Sequence, residues 1–177
     1  MKLILNSDYH NLINLEEVEN FFKELLPKAK IETNYCTQCK LPEYNKIKFP
    51  EKTIVICFSD VDWAGDPRKG TDGKPTKIYQ FNLHKVKDLI KFRILNKLGF
   101  RKSIAGFHFK RNTYDLCSVS IPLAVRQDKD YKLIALHELL HVFRKENIDC
   151  KDKKCVGNAD FKKFYLCEDC KKLLNEL

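Results

Sequence analysis

The chain has 177 residues, of which 44% are apolar and 32% charged, and a formal net charge of +9. That balance suits a globular chain able to bury a sizeable core and excludes a disordered or low-complexity one. No window reaches the ~20 apolar residues of a membrane-spanning helix, and the first residues turn polar too soon for a signal peptide, so the expected location is cytoplasmic and no membrane partner is expected.

In chain order, residues 2–5 read as a strand. Leu15 to Leu26 places apolar residues at helical spacing and stops at Pro27, and Ile31 to Tyr35 reads as a second strand. This β-α-β opening argues for an α/β layer. Cys36 and Cys39 have the gap of a zinc knuckle, but alone they are half a site and read as two thiols. Thr53 to Phe58 is β-branched and continuous, as in a central strand; its Cys57, like Cys117 further on, reads as a buried thiol. A Gly- and Pro-punctuated loop follows to about Pro75. Its three aspartates Asp60, Asp62 and Asp66 lack the closing glutamate of a calcium loop, because Thr71 stands there.

Lys77 to Asn82 reads as a short strand, Leu83 to Leu98 as an amphipathic helix capped by Gly99, and Ser103 to Lys110 with Tyr114 to Ile121 as a hairpin. Residues 85–111 hold nine Lys and Arg against the single acid Asp88. That stretch is either the solvated face of a helix and hairpin or a surface for an acidic peptide or nucleic acid.

The chemistry concentrates in His137-Glu138-Leu139-Leu140-His141, an H-E-x-x-H pattern inside an apolar run. Positions four apart share one helix face, so both imidazoles can reach one metal ion while Glu138 projects beside them as the base. Tyr131, Ile134, Leu139, Leu140, Val142 and Phe143 make the helix apolar nearly all round, as in an interior helix. Buried His and Glu need partners, and a metal supplies them. Asp128 and Asp130 mark the helix start. Downstream, Cys150-x4-Cys155 and Cys167-x2-Cys170 supply the ligand set of a structural four-cysteine zinc site. The competing pairing joins Cys36 and Cys39 to Cys167 and Cys170, leaving Cys150 and Cys155 free.

H-E-x-x-H followed by C-x4-C and then C-x-x-C resembles the archaemetzincins, zinc metallopeptidase-like proteins. The matching residues are His137, Glu138, His141, Cys150, Cys155, Cys167 and Cys170, and the likeness is strongest over residues 130–170; Ile104 to Phe107 is similar to the family's edge hairpin. The pattern departs in three places: Arg144 stands for the helix-ending glycine, Asn147 for the third histidine, and Gly157 for the methionine after the second cysteine. The gap from His141 to Cys150 is two residues longer than in the family. If the helix runs two residues further before turning, the residue before the first cysteine, Asp149, is the third ligand. Glu146, Asp160, Glu168 and water are the alternatives.

The resemblance implies an α/β, zincin-like single domain with a twisted mixed sheet, an antiparallel edge strand and an active-site helix. Residues 1–149 would form the catalytic domain, and residues 150–177 a zinc-stapled segment packed on it. It further implies two zinc ions, one catalytic and one structural, and hydrolysis of peptide bonds by a monomer with Glu138 as general base. The peptide is expected to lie along the strand spanning residues 114–121. The other readings are a DNA-associated protease of the SprT-like kind, or a zinc-stabilised protein that binds nucleic acid or protein with a decayed catalytic site.

Overall fold

The computed structural model describes residues 1–7, 13–35, 44, 46–59, 62–64, 79–81, 106–111, 113–144 and 149–176. The strands are β1 (Lys2–Ser7), β2 (Lys30–Tyr35), β3 (Thr53–Ser59), β4 (Asp62–Ala64), β5 (Tyr79–Phe81), β6 (Gly106–Lys110) and β7 (Asp115–Ser120). The helices are α1 (Leu15–Leu25), α2 (Ile121–Arg126), α3 (Tyr131–Arg144) and α4 (Glu168–Asn175).

Five strands form one sheet in the order β2-β1-β3-β7-β6. β1 pairs in parallel with β2 and β3, and β3 with β7, whereas β6 pairs antiparallel to β7. The inner strands β1, β3 and β7 are buried on both faces, which explains the near-continuous apolar runs of β1 and β3, whereas the edge strand β2 is half-buried to exposed. On one face Leu3, Leu5, Ile54, Ile56, Phe58, Cys117 and Val119 meet the helices. On the other, Ile4, Val55, Cys57, Tyr114 and Leu116 form a smaller cluster closed by Tyr44 and Phe49.

The helices are fixed by local chemistry. Asn14 caps α1, its side chain accepting the Glu16 and Glu17 N–H groups at 3.1 and 3.3 Å, and Leu15, Val18 and Phe22 are the buried stripe. Ser120 caps α2, where Pro122 sits in the first turn and needs no donor. At the start of α3 the Asp130 carboxylate accepts the Lys132 N–H at 2.8 Å, and Lys132 pairs with Glu17 of α1. Every residue from Leu133 to Phe143 is buried, so α3 runs through the interior. The C-terminal segment joins the same core through Cys155, Val156, Phe161, Leu166, Cys170 and Leu174.

Several expectations change. β7 has β3 on one side and β6 on the other, so its hydrogen-bonding edges are both taken. Among the described residues the outer strands of the sheet are β2 and β6, so residues 114–121 are not an open edge. The segment after β3 is not all loop, because β4 and β5 pair antiparallel there. Cys117 is a free buried thiol, but Cys57 is disulfide-bonded. Disulfides persist in oxidising compartments, so the cytoplasmic expectation loses part of its footing. Among the described residues no helix is long and apolar enough to cross a membrane. Cys36, Cys39, the expected helix 83–98, most of the basic stretch, Glu146 and Asn147 lie outside the described residues.

Candidate metal centre

His137, Glu138 and His141 are all buried, at 8%, 5% and 7% exposure, so the fold places three polar side chains in its core. The His137 Nδ1–H donates to the Val156 carbonyl at 2.8 Å. A carbonyl only accepts, so that bond fixes a proton on Nδ1 and turns Nε2 toward His141. The two Nε2 atoms stand 3.1 Å apart with the rings perpendicular.

Asp149 arrives from beyond the helix. Its Oδ1 is 3.2 Å from His141 Nε2 and 3.8 Å from His137 Nε2. Zinc bonds of about 2.0 to 2.1 Å in a tetrahedron separate neighbouring ligand atoms by about 3.3 Å, so the three atoms stand where zinc ligands stand. Asp149 carries 44% side-chain exposure against 8% for His141, so solvent reaches the cluster from the aspartate side. Asp160 and Glu168 do not join this group, and Glu168 pairs with Lys171 at 2.8 Å. Residues 145–148, where an extension of α3 was expected, lie outside the described residues.

The second cluster is built from Cys150, Cys155, Cys167 and Cys170, whose sulfurs lie within 4.8 Å of one another. Cys150 is 3.5 Å from Cys167, and Cys170 is 3.3 Å from Cys155 and 3.4 Å from Cys167. Zinc–sulfur bonds of about 2.3 Å place tetrahedral sulfurs about 3.8 Å apart, close to these values. The pairing that leaves Cys150 and Cys155 free is not the one adopted. The Gly157 and Cys167 N–H groups both point at Cys155 Sγ at 3.4 Å.

Burial pushes the Cys170 thiol well up, reinforced by Cys155 and Cys167 and opposed by the Arg144 guanidinium. Burial likewise raises Cys150, whereas at Cys167 the bonds from the Cys170 backbone and the neighbouring sulfurs outweigh burial and bring the thiol down. Four thiolates cannot gather here without a cation, and a metal that binds must displace protons.

Arg144 and Gly157 meet in this cluster. Arg144, in the last turn of α3, donates to Cys170 Sγ at 2.7 Å and to the Gly157 carbonyl at 3.4 Å. A Cβ at position 157 would meet Arg144 Nη2 at 2.8 Å and crowd Cys170 Sγ at 3.0 Å and Cys150 Cβ at 3.1 Å, so a side chain there would displace the guanidinium and press on two of the four cysteines. Gly157→Ala should therefore destabilise the protein by about 1 to 3 kcal/mol, read as a lowered melting temperature of the zinc-loaded form.

One residue of the site had no signal in the H-E-x-x-H spacing: His108, on β6. Its Nδ1 is 3.3 Å from Glu138 Oε2, and its ring stacks on that of His141, with centroids 5.1 Å apart and planes 12° from parallel. A lone histidine in a short strand carries no ligand spacing, and only the sheet order brings it to α3.

The fold and the two clusters define an α/β protein with two groups able to hold zinc. No protein-family model matches the chain, and no curated protein matches it. Among solved structures it is similar to the crystal structure of archaemetzincin from Archaeoglobus fulgidus complexed with malonate. The two are 14% identical, with 98% of this chain and 99% of that chain covered and a TM-score of 0.49. A likeness of that degree assigns no activity.

Proposed function

We propose that this chain is a zinc-dependent peptidase of archaemetzincin type, with residues 1–149 as its catalytic domain and residues 150–177 as a segment stapled by a second zinc. The observation that carries the reading is the convergence of His137 Nε2, His141 Nε2 and Asp149 Oδ1 beside the buried Glu138 carboxylate. A purely structural metal site has no use for a carboxylate held next to its ligands.

Zinc in the His137, His141 and Asp149 group supplies Lewis acidity toward a carbonyl and acidifies water to a pKa near ~7. Glu138 then takes the proton of the attacking water and delivers it to the amine that leaves. Among the described residues no strand pairs with the outer edge of β6, and an extended peptide would add itself there as a further strand. The solvent-facing Asp149 leaves an approach to the reacting carbonyl from that side. We infer that it acts as a monomer on peptide or protein.

The test is zinc content per chain by native mass spectrometry, with cleavage of fluorescein-labelled casein. Wild type should carry about two zinc ions, and His137→Ala and Asp149→Ala should each carry about one and cleave nothing. Zinc content unchanged in both variants would sink the reading. Binding of nucleic acid with steep salt dependence, untouched by Glu138→Ala, would then favour the binding-protein reading.

A further inference from the structure

Gly106 and His108 are two residues apart on β6, so their side-chain directions fall on the same face of the strand, and that face meets α3. Both touch Glu138. A Cβ built on Gly106 would lie 2.8 Å from Glu138 Oε1, 2.9 Å from its Cγ and 2.7 Å from Ile134 Cγ2. His108 Nδ1 is 3.3 Å from the other oxygen, Oε2. We propose that Gly106 and His108 are positioning residues that seat the Glu138 carboxylate, one by leaving it room and the other by holding it with a hydrogen bond.

A carboxylate only accepts, so the bond requires the proton on His108 Nδ1. A glutamate has three torsions to fix, and a helix fixes none of the last two by itself. Here one oxygen is tied to a ring and the other is packed against strand backbone, so the carboxylate is set relative to the histidine pair. The ring that ties it is itself set, because it stacks on His141. His108 is thus not a metal ligand in waiting, for the ligand group contains His137, His141 and Asp149 without it. Any side chain at position 106 would push into the carboxylate or into Ile134. The edge strand therefore does two things at once, offering its outer side to a peptide and its inner face to the base.

The kinetic part of this inference rests on the peptidase reading; the contact itself does not. The test uses zinc-loaded full-length protein and the variants His108→Leu, His108→Asn and Gly106→Ala, each checked for wild-type zinc content. In His108→Leu the kcat for fluorescein-labelled casein should fall roughly ten- to hundredfold with KM within about twofold, since a hydrogen bond to a charged group acting in the transition state is lost. His108→Asn keeps a donor near the Nδ1 position and should recover to within about fivefold of wild type. Gly106→Ala should lose kcat as His108→Leu does, without losing zinc.

A second readout needs no turnover. Imidazole nitrogen–proton correlation spectra should show a proton on His108 Nδ1 whose signal shifts or vanishes in Glu138→Ala, while the Nδ1 signal of His137 stays. An unchanged His108 signal in Glu138→Ala overturns the proposal, as does an asparagine variant no better than leucine. If the signal depends on Glu138 but wild type cleaves nothing, the seat stands and the peptidase reading falls.

Discussion

Cys170→Ser should empty the four-cysteine cluster and weaken the histidine cluster with it. Cys170 is buried against Cys155 and Cys167 and holds the Arg144 guanidinium, so its sulfur is a junction between α4, the loop after Cys150 and α3. A structural zinc contributes on the order of 10 kcal/mol to folding, and removing one ligand forfeits much of that. The second effect follows from one bond. The Val156 carbonyl that fixes the His137 tautomer belongs to the residue after Cys155. When the cluster opens, that acceptor moves, and losing such an orienting partner costs about 10- to 100-fold in metal affinity.

Zinc titration of Cys170→Ser, with hydrogen exchange read over residues 149–176, checks both parts. Unchanged zinc affinity at the histidine group would show that the two clusters are independent. Acid should act in the same direction. Burial raises Cys150 and Cys170, so protons compete with the metal for these sulfurs, and the cluster should lose zinc as pH falls.

Glu138→Gln should leave zinc content unchanged and lower casein turnover by roughly 10²- to 10⁴-fold, the usual contribution of a positioned general base. Glutamine keeps the shape that packs against Ile134 and Gly106, and Glu138 is not in the ligand group, so neither fold nor metal should respond. His137→Ala offers the contrast, because there activity and zinc should fall together. Turnover of Glu138→Gln within about tenfold of wild type would remove Glu138 from the role of base.

The reach of the sequence follows from what chemistry is local. Two histidines at i and i+4 share a helix face by helix geometry alone, so His137 and His141 were legible at once. The same holds for Cys167 and Cys170, whose short gap puts both sulfurs within reach of one ion. The apolar runs of β1, β3 and α3 announced burial because a strand or helix covered on all sides has no polar face to show.

Position in the sheet was not legible. Residues 114–121 read as an open edge, yet β7 is covered on both sides and β6 lies outside it among the described residues, because strand order is set by long-range pairing and not by local pattern. The disulfide at Cys57 was likewise out of reach, since a strand pattern says nothing of what a thiol meets across space. His108 had no spacing partner and gained its place against Glu138 only when β6 packed on α3. Arg144 and Gly157, which entered as gaps in a family pattern, turned out to fit each other, the guanidinium occupying the space a side chain at 157 would need. The sequence by itself determined the ligand types and the helix that carries them. Tertiary packing decided which carboxylate lies beside them, which carbonyl orients His137 and which strand meets Glu138, because each of those contacts joins residues that only the folded sheet and core bring together.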